Sequence, residues 1–126
     1  MLIIDDEPYI GRMIAMQFER GPFRVSAAAD GPSGLAFLRA HPDVALVLVD
    51  VHLPGGLSGL DVMAEARSEP ALAQVPFVVL TASGQKAQVD RARALGAAAF
   101  VTKPFSPSRL YQQVCTLVGE RVAEEA

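Results

Sequence analysis

Short apolar runs alternate with amphipathic segments along the whole chain. The clearest run covers residues 44–49, six apolar positions rich in β-branched side chains, and it ends at Asp50. A run that is apolar at every position and too short for a confident helix is typical of a strand buried on both faces of a parallel sheet. Shorter apolar runs lie at residues 2–4, 77–80 and 97–101, and residues 23–28 form a further strand candidate that includes Arg24 and Ser26. We therefore predict five strands.

The segments between these runs have helical periodicity. Ile10, Ile14 and Phe18 recur at the spacing of one helix face, from a start at Pro8 to a stop at Gly21. Further helices are predicted to follow the capping residue Asp30, to include Leu60 and Met63, to span Gln85 to Leu95 with Gly96 as the stop, and to begin at Ser106-Pro107. Five strands alternating with five helices predict an open parallel α/β sheet with helices on both faces.

Composition narrows the classes of protein that the chain can represent. Its 126 residues, 51% of them hydrophobic, suit one domain with a substantial core. The formal net charge is -3 and the basic residues are scattered, which gives no support for a nucleic-acid surface. The lone Cys115 excludes an internal disulfide and fits a reducing compartment. No apolar stretch approaches the ~20 residues of a membrane span, and the N-terminus lacks a signal-peptide pattern. We expect a cytoplasmic location.

Polar residues end several of the predicted strands. They are Asp5, Asp6, Asp50, Thr81 and Lys103. In a parallel sheet all carboxyl ends lie along one edge, so these side chains are expected to meet there. Two carboxylates ~4 Å apart repel by about 4 kcal/mol at an effective dielectric near 20. Three acids together therefore either keep one proton or are neutralised by cations, and neutralisation is easier to arrange. Lys103 supplies one positive charge and a divalent ion would supply two.

An all-oxygen set of ligands favours Mg²⁺ over zinc, with Mn²⁺ able to substitute. We predict Asp6 and Asp50 as direct ligands, Asp5 as a ligand through water, and His52 as the donor of a main-chain carbonyl. A zinc site built on the His52 side chain is poorly supported, because His41 has no evident place beside it.

A carboxylate beside Mg²⁺, an ammonium and a hydroxyl is suited to receiving a phosphoryl group. We predict Asp50 as the nucleophile, because carboxylates form aspartyl-phosphate intermediates and the end of a buried strand fixes its line of attack. Lys103 and Thr81 would each contact a phosphoryl oxygen.

These residues together resemble the CheY-like receiver domain of two-component response regulators. The resemblance covers nearly the whole chain and rests on Asp5-Asp6, Asp50 with Leu53-Pro54, Thr81-Ala82 and Lys103-Pro104-Phe105. It implies a flavodoxin-like (βα)5 doubly wound sheet of strand order 2-1-3-4-5. It also implies a cis Lys103–Pro104 peptide bond. The receiver domain is expected to span residues 1–119, with a tail at 120–126 that could begin a linker.

The resemblance also implies a role in phosphorelay signal transduction. A sensor histidine kinase or a histidine phosphotransfer protein would phosphorylate Asp50, and the domain would catalyse this transfer and its own slow dephosphorylation without being a metabolic enzyme. Thr81 and an inward-turning Phe100 would then switch an output surface made of the fourth helix, fifth strand and fifth helix. A downstream effector, which the sequence does not identify, would bind this surface. A homodimer through it is an alternative, although Arg91, Arg93 and Arg109 suit solvated surface charges equally well.

Three features depart from the common pattern of that family. The loop after Asp50 is one residue longer, and Phe100 stands where a tyrosine would offer a hydroxyl. His52 and Ser83 occupy positions that tune dephosphorylation in relatives.

Two other functions compete with the phosphorylation switch. A phosphatase or hydrolase with Asp50 as nucleophile would need a second acid soon after it, whereas Val51 and His52 follow. A degenerate receiver acting only as a binding module conflicts with the complete set of acids, Thr81 and Lys103.

Overall fold

The computed structural model describes residues 1–21, 23–82 and 85–125, with side chains up to residue 118. The strands are β1 (Leu2–Ile4), β2 (Ser26–Ala28), β3 (Val47–Asp50), β4 (Phe77–Thr81) and β5 (Ala99–Thr102). The helices are α1 (Pro8–Phe18), α2 (Gly31–Ala40), α3 (Gly59–Ser68), α4 (Lys86–Ala94) and α5 (Pro107–Glu125). The predicted alternation of strands and helices is therefore confirmed.

All strand pairs are parallel, and the order in the sheet is β2-β1-β3-β4-β5, as the resemblance implied. In the register of this sheet Asp50 lies opposite Leu80, and Thr81 lies opposite Thr102. The carboxyl ends of β3, β4 and β5 are therefore level with one another. The loops that follow these strands emerge along one edge of the sheet.

The core consists of one apolar cluster on each face of the sheet. Ile4, Val49 and Val79 belong to the cluster beneath α2 and α3, while Leu48 and Val78 belong to the cluster beneath α1 and α5. Successive strand residues point to opposite faces, so burial of every β3 residue requires cover on both sides. This explains why the central strands are continuously apolar.

Three strands begin later than predicted: β3 begins at Val47 and not at Val44, and β2 and β5 are also shorter at their amino ends. Residues 23–25 do not join β2, and Phe23 instead packs its ring against Phe18 and Tyr111, with centroids 5.6 Å and 5.9 Å away. Ala97 donates its N–H to the Ala92 carbonyl and so closes α4 before β5 can begin. In both places a tertiary or capping contact replaces the extended backbone that local composition favours.

Helix α5 runs to Glu125, beyond the point at residue 119 where a polar tail was expected. Ala126 lies outside the described residues, and the division of the chain at residue 119 stays a prediction. Within the described part of the chain, no helix combines the length and apolar character required to cross a membrane.

Candidate functional site

The Lys103 ammonium lies at the centre of the acidic residues that the sheet brings together. Its Nζ is 2.8 Å from Asp5 Oδ2 and 2.7 Å from Asp50 Oδ2, and Glu7 Oε1 lies further away at 3.7 Å. The side chains of Lys103, Asp5 and Asp50 are 13%, 1% and 7% exposed. One largely buried cation therefore bridges two buried carboxylates that follow β1 and end β3.

The main chain fixes the other oxygen of each carboxylate. Glu7 donates its backbone N–H to Asp5 Oδ1 at 2.9 Å, and His52 donates its backbone N–H to Asp50 Oδ1 at 3.0 Å. In each case the donor is two residues after the aspartate, which is the local geometry that short acidic side chains adopt in turns. Both carboxylates are thus oriented before any ligand binds.

Lys103 is placed by the segment that leaves β5. Its backbone N–H donates to the Thr81 carbonyl at 2.6 Å, which joins this segment to the end of β4. The Lys103–Pro104 peptide bond is cis, as the resemblance implied. The side chain then reaches from the last strand of the sheet to the ends of β1 and β3.

The ion pairs and burial shift the pKa values of two of these groups. Burial by itself lowers the pKa of Lys103, but the hydrogen bonds to Asp5 and Asp50 outweigh burial and raise that pKa above its ordinary value. Burial raises the pKa of Asp50, and this exceeds the opposing effect of the hydrogen bonds from Lys103 and the His52 N–H. Lys103 is therefore cationic, while ionised Asp50 gains from additional positive charge nearby.

Four acids provide the donor set for a cation. Asp5, Asp6, Glu7 and Asp50 each place one carboxylate oxygen within 4.8 Å of the others. These hard oxygen ligands fit Mg²⁺ or Mn²⁺, and no described histidine or cysteine belongs to the cluster. The acidic pocket thus has the chemistry that a receiver-type magnesium site requires.

Glu7 is the member of this cluster that the sequence analysis missed. The nearby Tyr9 hydroxyl and, secondarily, the Lys103 charge lower the pKa of Glu7. The available signal was its position directly after the Asp5-Asp6 pair. By contrast, the His52 side chain is exposed, and a metal-binding role for its carbonyl stays a prediction.

The loop after Asp50 returns close to the site. Gly55 and Gly56 both have positive φ, 87° and 86°, which glycine adopts without steric cost. Gly59 donates its N–H to the Val51 carbonyl at 2.9 Å, and a Cβ at Gly59 would overlap the Asp50 carbonyl oxygen. Two glycines thus accommodate the long loop, and a third permits the start of α3 to pack against the end of β3.

The two predicted switch residues lie on the neighbouring strands β4 and β5. Thr81 is fully buried at the end of β4. Phe100 is half-buried in β5 and packs against the apolar cluster on the α2 and α3 side. Ser83, which was expected to tune dephosphorylation, lies outside the described residues.

Known proteins resemble this chain over most of its length. A family model described as the response regulator receiver domain matches residues 1–115. The probable transcriptional regulatory protein TcrX of Mycobacterium tuberculosis is 42% identical over 110 residues, covering 84% of this chain and 44% of TcrX. The phosphate regulon transcriptional regulatory protein PhoB of Escherichia coli is 35% identical over 116 residues, covering 90% of this chain and 49% of PhoB. The chain spans about half the length of these relatives.

Solved structures give the same fold. The CheY-like response regulator receiver domain protein of Methanospirillum hungatei superimposes with a TM-score of 0.89 at 24% identity, covering 98% of this chain and 95% of the other. The receiver domain of NtrX from Brucella abortus gives 0.79 at 29% identity, covering 99% and 98%. With its acidic pocket and its sheet order, the chain belongs to the response regulator receiver domain family.

Proposed function

We propose that Asp50 is the phosphoacceptor of this receiver domain and that its phosphorylation switches the surface formed by α4, β5 and α5. The observation that carries the proposal is the ion-paired position of Asp50, fixed at the end of β3 by Lys103 and by the His52 N–H. A buried carboxylate held in one orientation is a preorganised nucleophile.

In the transfer, an oxygen of the Asp50 carboxylate forms a bond to phosphorus while the bond from phosphorus to a histidine nitrogen of the donor breaks. The donor imidazole keeps the electron pair of that bond. Lys103 then exchanges part of its contact with the carboxylates for a phosphoryl oxygen. A bound Mg²⁺ would neutralise charge on the phosphoryl oxygens. Asp5, Asp6, Glu7 and Asp50 offer the carboxylates that could hold it, and the His52 carbonyl is a further candidate.

Thr81 and Phe100 are the proposed route from the site to the surface. The buried Thr81 ends β4, the strand that pairs with the Asp50 strand β3. Its carbonyl accepts the Lys103 backbone N–H. A movement of Thr81 towards the phosphoryl group would leave space that Phe100 could fill. The equilibrium between two packings would then be biased by phosphorylation.

The proposed phosphodonor is a sensor histidine kinase or a histidine phosphotransfer protein. TcrX and PhoB are named as transcriptional regulatory proteins, so an effector that acts on transcription is one proposed output. A homodimer through α4, β5 and α5 is another. Arg91 already pairs with Asp61 of α3 at 3.0 Å, whereas Arg93 and Arg109 are exposed cations suited to a partner.

The experiment is incubation of the protein with phosphoramidate and Mg²⁺, followed by intact-mass measurement. We expect an acid-labile gain of one phosphoryl group in the wild type. The gain should be lost in Asp50→Asn and retained in the matched control Asp43→Asn, which alters an exposed aspartate in the loop after α2. An equal gain in Asp50→Asn would refute the assignment. Sustained turnover of a small phosphate ester would instead support the hydrolase.

A further inference from the structure

Arg67, near the end of α3, joins two segments that are distant in sequence. Nη1 donates to the carbonyls of Ala73 and Val75, at 3.1 Å and 2.7 Å, just before β4. Nε donates to the Leu95 carbonyl at 2.8 Å, and Nη2 donates to the Gly96 carbonyl at 3.4 Å, just after α4. These contacts lie at the amino ends of β4 and β5, opposite the phosphoacceptor edge.

The guanidinium group also lies over the buried Phe77 ring, 5.3 Å from its centroid. A planar guanidinium has donors pointing in several fixed directions, whereas a lysine ammonium is a compact point charge. Only an arginine can donate hydrogen bonds to the carbonyls before β4 and to those after α4 while its flat face covers the Phe77 ring. Arg67 therefore makes a specific clamp that a surface cation would not provide.

This clamp acts on the carboxyl-terminal end of α4. Gly96, with φ 78°, donates its N–H to the Arg93 carbonyl at 2.9 Å, and Ala97 donates to the Ala92 carbonyl at 3.0 Å. This pattern terminates the helix and satisfies its last carbonyls. Ala92, which is 1% exposed, is the buried residue of α4 and lies in the same half.

The amino-terminal half of α4 is held less firmly. Gln85 provides no side-chain cap, and the first turn contains no acidic residue to complement the helix dipole. The Gln88 Oε1 atom is buried and has no hydrogen-bond partner among the described residues. A buried acceptor without a hydrogen bond costs free energy. The Gln88 Oε1 atom would therefore be more stable in a second conformation of the amino-terminal half of α4, in which water or another donor reaches it.

We infer that Arg67 is a positioning residue that fixes the carboxyl-terminal end of α4, so that activation displaces the amino-terminal half about this fixed end. The inference rests on the proposed phosphorylation switch. Thr81 is closer along the chain to Lys86 than to Leu95, so a displacement that begins at Thr81 reaches the weakly held half first. The effector-binding change is then confined to the end of α4 that is near Asp50.

The test is residue-resolved amide hydrogen exchange on the unmodified protein and on protein phosphorylated by phosphoramidate and Mg²⁺. We expect phosphorylation to change exchange at Val89 and Asp90 by on the order of tenfold, and at Leu95 and Ala97 by less than about twofold. Equal changes at both ends, or no change in α4 despite phosphorylated Asp50, would overturn the inference while leaving the phosphoacceptor assignment intact. Failure of Asp50 to accept a phosphoryl group would overturn the proposed function itself.

Arg67→Lys tests the clamp directly, with Arg39→Lys as the matched control. Arg39 is an exposed arginine on α2 whose guanidinium bonds the Glu69 and Glu65 carboxylates. In Arg67→Lys we expect Asp50 phosphorylation to persist and the exchange response to spread to Leu95 and Ala97. The control should retain the wild-type gradient. If folded Arg67→Lys shows the same difference in exchange response between the two ends of α4 as the wild type, the proposed role of the arginine is wrong. If this variant does not fold, the exchange responses of the two ends in the wild type decide whether the carboxyl-terminal end of α4 stays fixed.

Discussion

Replacing Lys103 with methionine removes the cation that separates two buried carboxylates. The Lys103 Nζ contacts both Asp5 and Asp50 at less than 3 Å. The methionine side chain has similar length but no charge, so it retains much of the packing. The variant therefore isolates the electrostatic contribution of Lys103 to the free energy of unfolding.

The expected loss is about 3 kcal/mol near neutral pH. Two carboxylates with oxygen atoms within 4.8 Å of one another repel by roughly 3.5 kcal/mol at an effective dielectric near 20. Removal of one partner from a buried ion pair typically costs ~3–5 kcal/mol. Protonation of Asp50 limits the loss, because each pKa unit between its folded pKa and the pH costs only about 1.4 kcal/mol.

The assay is urea unfolding followed by far-ultraviolet circular dichroism in EDTA, over a series of pH values. Burial already raises the pKa of Asp50, and loss of Lys103 will raise it further. When folding raises the pKa of a carboxyl group, its protonation stabilises the folded protein at pH values below the ordinary pKa of 3.8. This stabilisation disappears as the pH rises through the folded pKa. The difference between Lys103→Met and the wild type should therefore narrow as pH falls towards that value. Added Mg²⁺ should stabilise Lys103→Met, since ion binding to the folded state offsets the uncompensated charge.

Asp50→Asn supplies the refuting comparison. It removes one of the two repelling charges and leaves Asp5 paired with Lys103, so we expect it to unfold at the same urea concentration as the wild type or at a higher one. Lys103→Arg, which keeps the charge, should be destabilised less than Lys103→Met. An equal loss of stability in Asp50→Asn and Lys103→Met would show that carboxylate repulsion does not govern the stability of the site.

Two further substitutions test how local geometry supports the site. Gly59→Ala should lower the free energy of unfolding by about 1–3 kcal/mol and should slow phosphorylation, because its Cβ would overlap the Asp50 carbonyl. In the control Gly55→Ala the added Cβ meets no neighbour. This control should keep the wild-type phosphorylation rate despite the strain of its positive φ. Asp30→Ala should unfold at a lower urea concentration than the wild type, since Asp30 caps α2 by accepting the Ser33 N–H at 2.8 Å. That hydrogen bond lowers the pKa of Asp30. The stabilisation from the cap is therefore present above the ordinary pKa of 3.8 and is lost as pH falls through the folded pKa. A stability difference between Asp30→Ala and the wild type that stays the same in acid would contradict this account.

The sequence by itself determined the alternating elements and the approximate place of the site. Continuous apolar runs require burial on both faces, and this requirement predicts a parallel sheet covered by helices. Asp5, Asp50 and Lys103 could then be assigned to one edge because parallel strands share their carboxyl ends. The order of the strands came from the family resemblance, since the apolar pattern does not distinguish one arrangement of parallel strands from another.

Only the tertiary structure decided which groups within that edge touch. The partners of Lys103 depend on strand register and on the turn after β5, and sequence periodicity specifies neither. Glu7 joined the acidic cluster through its spatial proximity to Lys103 and not through any strand pattern. The contacts of Arg67 could not be predicted from the sequence either, because its carbonyl partners belong to segments that only packing brings together. Hydrophobic periodicity records which face of an element is buried, whereas a polar contact depends on the relative positions of elements far apart in the chain.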